Sequence, residues 1–321
     1  MVAHELTGPV HRLWTTSHEP ALTVSDGDTI TFSVQEALAG QFDGLATGDP
    51  LPEVDWDRVY PLAGPVLVAG AEPGDTLEIE VLEVAPTDWG WTAVVPGLGL
   101  LADDFPVSHF HRWDLSGAAD GGSGSGGSGF GGADFKGLAT VPVRPFLGVM
   151  GVCPDTVEPL PVLPPGHFGG NLDCRDLVAG ARLYLPVQVP GGRLALGDPH
   201  AAQGDGEVCV SAIEASASGA VRVRLHKGRR LPGPQLRTPG PLRRGIDDAG
   251  YYATMGVGPD LMAAARDALR AMIDHLGTEY GLAPLDAYVL SSTCVDLKIT
   301  EVVDAPNWVV SAYLPVGIMR G

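Results

Sequence analysis

The alternation of apolar and polar positions gives a first outline of this chain. Thr29-Ile30-Thr31-Phe32-Ser33-Val34-Gln35 puts Ile30, Phe32 and Val34 on one face of a half-buried strand, and Thr76-Leu77-Glu78-Ile79-Glu80-Val81 repeats the pattern. A Gly-Asp-Thr opens each of them, at 27–29 and 74–76, as related hairpin units would. Further strands are expected over 61–69, from Trp89 onward, over 142–152, 183–189, 221–225, 296–303 and 308–314, and over Val208–Ile213. Residues 4–20, with His4, His11, Trp14 and His18, read as an extended edge. One stripe has helical spacing instead: Leu261, Ala265, Ala268, Leu269, Met272, Ile273 and Leu276, introduced by Pro259 and Asp260 and closed by Gly277. A second helix is expected from Pro284 to near Thr293.

Composition sharpens this outline. With 44 Gly and 28 Pro in 321 residues, short strands punctuated by turns are the expectation. A hydrophobic share of 45% supports a core without disulfides. The 39 acids against 20 bases give a net charge of −19, which argues against nucleic acid and anionic membranes as partners and favours neutral or cationic small ligands. The start has neither the basic nor the apolar region of a signal peptide, no run approaches a membrane span, and Cys153, Cys174, Cys209 and Cys294 lack metal or redox spacing. A cytoplasmic protein with reduced cysteines is the expectation.

Two polar, Gly-rich stretches stand out. Gly197-Asp198-Pro199-His200-Ala201-Ala202-Gln203-Gly204-Asp205-Gly206-Glu207 packs one His, one Gln and three carboxylates into a predicted turn. Pro164-Pro165-Gly166-His167-Phe168-Gly169-Gly170-Asn171-Leu172-Asp173-Cys174-Arg175-Asp176 has similar content. A His among acids on rigid-ended loops suits a metal or acid/base site, and two such loops could meet at one end of a sheet. Surface turns have the same composition, so the residues alone leave both readings open. Glu36, at a strand end before Gly40, is well placed to reach such a site. Gly121–Gly132 is nearly all Gly and Ser and reads as a flexible loop within 117–134. Residues 227–244 form the one basic patch, expected to pair with acidic surface on the same protein or a neighbouring subunit.

Several of these motifs together resemble the acetamidase/formamidase family: Gly-Asp-Thr-Ile-Thr-Phe, Gly-Pro-Val-Leu-Val-Ala-Gly-Ala-Glu-Pro-Gly-Asp-Thr, Pro-Phe-Leu-Gly-Val-Met-Gly, Gly-Gly-Asn-Leu-Asp and His-Ala-Ala-Gln-Gly-Asp-Gly-Glu. The likeness runs from His11 through the last strands. It implies hydrolysis of a short carboxamide to carboxylate and ammonia, a bound divalent metal (zinc, or calcium as the alternative) and homo-oligomers, dimeric or larger. It implies a jelly-roll-like β-sandwich joined to a further β-barrel-like or α+β region. The whole of 1–321 would form one such unit, mostly β-sandwich over 1–190 and β with the helical pair over 191–321. The chain departs from the family pattern at Tyr60, where His is expected, and at Leu172, His167-Phe168 and Pro199.

Under this resemblance His200 and Asp173 would be metal ligands, with Glu36 a third. Glu207 would be the general base, and Asp205 could exchange roles with it. Asn171 and Gln203, with the N–H groups of Gly170 and Gly204, would orient the amide or the oxyanion. A lactam hydrolase on the same site, a hydrolase with Cys174 as nucleophile and a non-catalytic binding protein are the alternatives.

Overall fold

Two β-sheets face each other across a shared apolar core in the computed structural model, which describes residues 1–117, 131–240, 246–303 and 305–320. The six-stranded sheet runs in the order Ala3–Glu5, Thr29–Val34, Ala217–His226, Thr76–Pro86, Arg182–Pro186 and Gln235–Arg237. The larger, eight-stranded sheet runs Gly169–Asn171, Phe146–Gly151, Leu194–Ala202, Ile213–Glu214, Trp89–Val94 and His109–Asp114, with Ala63–Val68 and Leu22–Val24 branching from Leu194–Ala202. The predicted alternation is the cause of the packing: Ile30, Phe32, Leu77 and Ile79 of the first sheet meet Val66, Leu147, Val149 and Leu196 of the second.

The mainly β character, with few helices and those near the C-terminus, agrees with the sequence. No closed barrel forms among the described residues, which corrects the barrel-like expectation. The division near residue 190 does not separate the sheets. Leu194–Ala202 pairs with Phe146–Gly151, and Ala217–His226 sits between Thr29–Val34 and Thr76–Pro86.

The far face of the larger sheet builds a second core. Val94, Trp113, Ala202 and Ile213 pack there with Leu269, Met272 and Leu276 of helix α1 (Leu261–Tyr280) and Val289 and Leu290 of helix α2 (Pro284–Cys294). A three-stranded sheet, Tyr251–Gly258, Trp308–Pro315 and Asp296–Glu301, completes this layer. The Asp260 side chain accepts from Ala263 N at 2.7 Å and caps α1. The helix runs past Gly277 and stops at Gly281, which takes φ 70°. No helix among the described residues is long and apolar enough to cross a membrane.

The sequence pattern misplaces one region. Gly197–Glu207 reads as a turn leading into a strand at Val208–Ile213, but all nine residues of Leu194–Ala202 form a buried strand, and the turn falls on 203–210. A strand buried on both faces shows no alternation, so its Gly, Asp and Pro dominate the reading. Of 208–213, only Ile213 is in a strand, although Val208 and Cys209 are buried. Most of the 117–134 Gly/Ser stretch lies outside the described residues, as do Arg243 and Arg244 of the basic patch.

Candidate active site

The central strand of the larger sheet, Leu194–Ala202, carries Asp198 and His200. Ile213–Glu214 pairs beside it and brings Glu214 opposite His200. The turn after the strand returns Glu207, and the chain leaving Gly169–Asn171 brings Asp173. Two sets of donor atoms result, each lying within 4.8 Å of one another: Asp173, Asp198 and His200, and His200, Glu207 and Glu214. His200 Nε2 lies 3.3 Å from an oxygen of Asp198 and 3.3 Å from an oxygen of Glu214.

The orientation of His200 follows from its neighbours. Gln203 Nε2 donates to the Asp173 carbonyl at 2.7 Å, which fixes Gln203 Oε1 as the acceptor facing His200 Nδ1 at 3.0 Å. Nδ1 therefore carries the proton, and in the neutral ring Nε2 presents its lone pair to the carboxylates. Asp173 Oδ1, Asp198 Oδ1, His200 Nε2 and Glu214 Oε2 are all buried without a hydrogen-bond partner. The contacts around Nε2 are close yet misaligned for N–H donation. An unsatisfied buried polar atom costs about 1–3 kcal/mol, and more when charged, so four at one point call for a shared ligand.

Gly148 makes the room. A Cβ there would stand 2.5 Å from Asp173 Oδ1 and 2.8 Å from Asp198 Oδ2. Oxygen donors with one imidazole, in a cradle that only glycine leaves open, fit a divalent cation.

Electrostatics point the same way. Burial, reinforced by Asp198, pushes the Asp173 carboxyl up to about 7. Burial and Asp173 push Glu207 well above the usual carboxylate range, and burial raises Glu214, with His200 opposing and Asp198 adding to the rise. Burial alone would lower His200, but Glu214 and Asp198 outweigh it and hold the imidazole well above its ordinary value. Among the described residues His200 is the one imidazole in these two donor sets, and the mutual repulsion of the acids adds to burial in raising Asp173, Glu207 and Glu214.

The backbone is unusual at the same place. Tyr60, Asp173, Asp198 and Glu207 take φ of 51°, 43°, 54° and 44°, the left-handed region that side chains other than Gly seldom adopt. Such conformations cluster at functional sites because the surrounding structure must hold them.

The expected site residues divide accordingly. His200, Asp173 and Glu207 are brought together. Asp205 turns away, its carboxylate 3.6 Å from Arg175 Nε and partly exposed. Gln203 has both ends of its amide engaged, so it orients His200. The Gly204 N–H donates to Ser292 O at 2.8 Å, while Gly170 stands in the strand ladder opposite Met150. Asn171 is buried beside Asp173 in sequence, with its Oδ1 unpartnered. Glu36 lies outside both donor sets: its oxygens accept from Leu38 N and Gly40 N, both at 2.6 Å. Burial pushes Glu36 up to about 7, although those two amides pull it down. Cys174 packs against the main core, and burial raises its thiol, so it is not an activated thiolate.

The sequence pattern does not mark Asp198 and Glu214 as ligands. Asp198 stood inside the polar stretch but looked like a turn residue. Glu214 had one signal, an acid closing the otherwise apolar Val208–Ile213 run. Tyr60, noted only as a departure, lies in the field of Asp198, Asp173, Glu214 and Glu207; burial first, then those acids, raise its phenol far above the ordinary value.

Known proteins share this arrangement of strands. A gamma lactamase from Delftia acidovorans superposes with a TM-score of 0.87 at 25% identity, covering 98% of this chain and 90% of that one. An acetamidase from Bacillus halodurans matches with a TM-score of 0.65 at 30% identity, over 97% of each chain. A formamidase of Methylophilus methylotrophus is 27% identical over 98% of this chain and 91% of its own length. The class so defined is that of hydrolases acting on non-peptide carbon–nitrogen bonds of linear amides. This chain belongs to the Acetamidase/Formamidase family, whose model matches residues 2–159 and 157–320.

Proposed function

We propose that the chain hydrolyses a short carboxamide, of formamide or acetamide size, at the Asp173–Asp198–His200–Glu207–Glu214 cluster. The observation that carries this reading is the convergence of unpartnered carboxylate and imidazole atoms, in a chain of amidase descent, on one point beneath Gly148. Asp173, Asp198 and His200 would hold a divalent cation, taken here as zinc with calcium as the alternative. When bound, such an ion supplies Lewis acidity and a water of lowered pKa.

The remaining chemistry falls to the chain. Gln203 holds His200 in the tautomer that leaves Nε2 free to ligate. Glu207 is the general base: its carboxylate lies within 4.8 Å of the His200 and Glu214 donor atoms. It takes the proton from the attacking water and delivers it to the amide nitrogen. The carbon–nitrogen bond then breaks, ammonia departs and the acid remains. Asn171, buried with its Oδ1 unpartnered, would orient the amide.

The test is ammonia release from formamide and acetamide, with and without chelator, alongside loss of a small lactam. Activity on the linear amides that disappears with chelator and returns with zinc is expected. Turnover of the lactam alone would move the substrate assignment to cyclic amides, the reading favoured by the 0.87 structural match.

A further inference from the structure

Gln203, whose side chain holds His200, also lines a small cavity of about 40 Å³. None of Asp173, Asp198, His200, Glu207 and Glu214 lines it. Its polar lining is Arg144, Arg175, Gln203 and Thr293, and no acid is among its lining residues. Pro142, Ile246 and Pro315 add apolar surface. Arg175 is anchored at this place: Nη1 donates to Gln203 O at 3.2 Å and to the Asp296 carboxylate, and Nε lies 3.6 Å from Asp205. Its Nη2 makes no hydrogen bond among the described residues and is not among the fully enclosed atoms. The guanidinium therefore keeps two N–H donors for a guest.

Size and chemistry select that guest. One water needs about 10–15 Å³ of such space, so the cavity takes about three waters or one molecule of about three or four non-hydrogen atoms. Guanidinium groups bind carboxylates through charge-assisted hydrogen bonds, which a neutral amide does not form. A short-chain carboxylate also has an apolar end to set against Pro142, Ile246 and Pro315. Hydrolysis of formamide or acetamide releases such an anion, and the acids around His200 repel it once it forms.

We propose that the Arg144–Arg175 cavity binds the small carboxylate product and slows turnover from there. This rests on the amidase reading above. The link to the site is short. Arg175 holds the Gln203 carbonyl, and the Gln203 side chain sets His200 Nδ1 at 3.0 Å while donating to Asp173 O at 2.7 Å. A carboxylate drawing on the guanidinium acts on His200 without entering the ring of acids, so it should lower kcat and leave KM little changed.

The experiment dialyses labelled acetate against chelator-treated protein, where no metal competes for it, and follows acetate inhibition of acetamide hydrolysis in zinc-loaded protein. One acetate per chain is expected, undisturbed by an equal concentration of acetamide, with inhibition that lowers kcat. Arg175→Lys keeps a charge beside Asp296 but removes the fork, and should weaken acetate binding by about 10–100-fold. Should that variant fold poorly, Arg144→Gln must weaken acetate binding instead. Acetate that acetamide displaces, inhibition that only raises KM, or unchanged binding in a folded variant would each overturn the proposal. Acetate bound through the arginines of a protein that releases no ammonia from any amide would overturn the amidase reading instead and leave the cavity as a carboxylate site.

Discussion

Two groups of acids in this molecule meet opposite fates. On the six-stranded sheet, Glu78 and Glu80 lie among Arg182, Arg222 and His226, with Arg222 Nη1 2.9 Å from Glu80 and His226 Nε2 2.7 Å from Glu78. Burial there opposes ionisation, but Arg182 and Arg222 outweigh it and hold Glu80 below the usual carboxylate range. In the larger sheet Asp173, Asp198, Glu207 and Glu214 surround one imidazole, and Asp173, Glu207 and Glu214 are all raised. The first group receives its cations from the fold. The second sets four acids around a single imidazole, an expensive arrangement unless a ligand supplies more positive charge.

The largest expected effects break the second group. Glu207→Gln keeps the shape and removes the base, so kcat for ammonia release should fall by about 10²–10⁴-fold with the circular dichroism spectrum unchanged. Gly148→Ala leaves every donor in place but drives a methyl against Asp173 and Asp198. Metal affinity measured by equilibrium dialysis should fall by more than the about 10–100-fold typical of disturbing groups around the ligands. Gln203→Ala frees the His200 ring and should cost about 10–100-fold in metal affinity by the same measurement.

The two groups should also respond oppositely to pH. Asp173, pushed up to about 7, holds its proton more tightly in the folded chain than in the unfolded one. In chelator-treated protein its contribution is complete below the unfolded carboxylate pKa of about 4 and is lost as pH rises through about 7. Glu80, held below its ordinary value, contributes stability above the unfolded pKa and loses it as pH falls through the lowered folded value. Denaturant melts of stripped and zinc-loaded protein from pH 4 to 8 check this: zinc should abolish most of the loss of stability on the alkaline side. The smallest effect belongs to the first group. Arg222→Met, at a partly exposed pair, should cost no more than about 1 kcal/mol in a urea melt and leave turnover intact.

How much of this was readable beforehand depended on period. Thr29–Val34 and Thr76–Val81 announce themselves because one face is buried and the other wet, and α1 because its stripe has helical spacing. Leu194–Ala202 does not, since both faces are buried and Gly197, Asp198 and Pro199 imitate a turn. His200, Asp173 and Glu207 were legible through the motifs that carry the family likeness. Asp198 and Glu214 were not, because their place beside His200 comes from strand pairing, and pairing leaves no mark in local spacing. Asp205 shows the converse: sequence cannot say which of two neighbouring acids faces inward, and a turn of two residues sends it to Arg175. Glu36 lay near the site as expected, but its loop amides claimed the carboxylate.

The most direct test of the missing-cation account is a zinc titration of chelator-treated protein, following ammonia release from acetamide and bound metal on the same samples. The account predicts that activity is lost on stripping and rises in proportion to metal bound, and that His200→Ala binds little metal and stays inactive throughout. Full turnover at negligible metal content would contradict it.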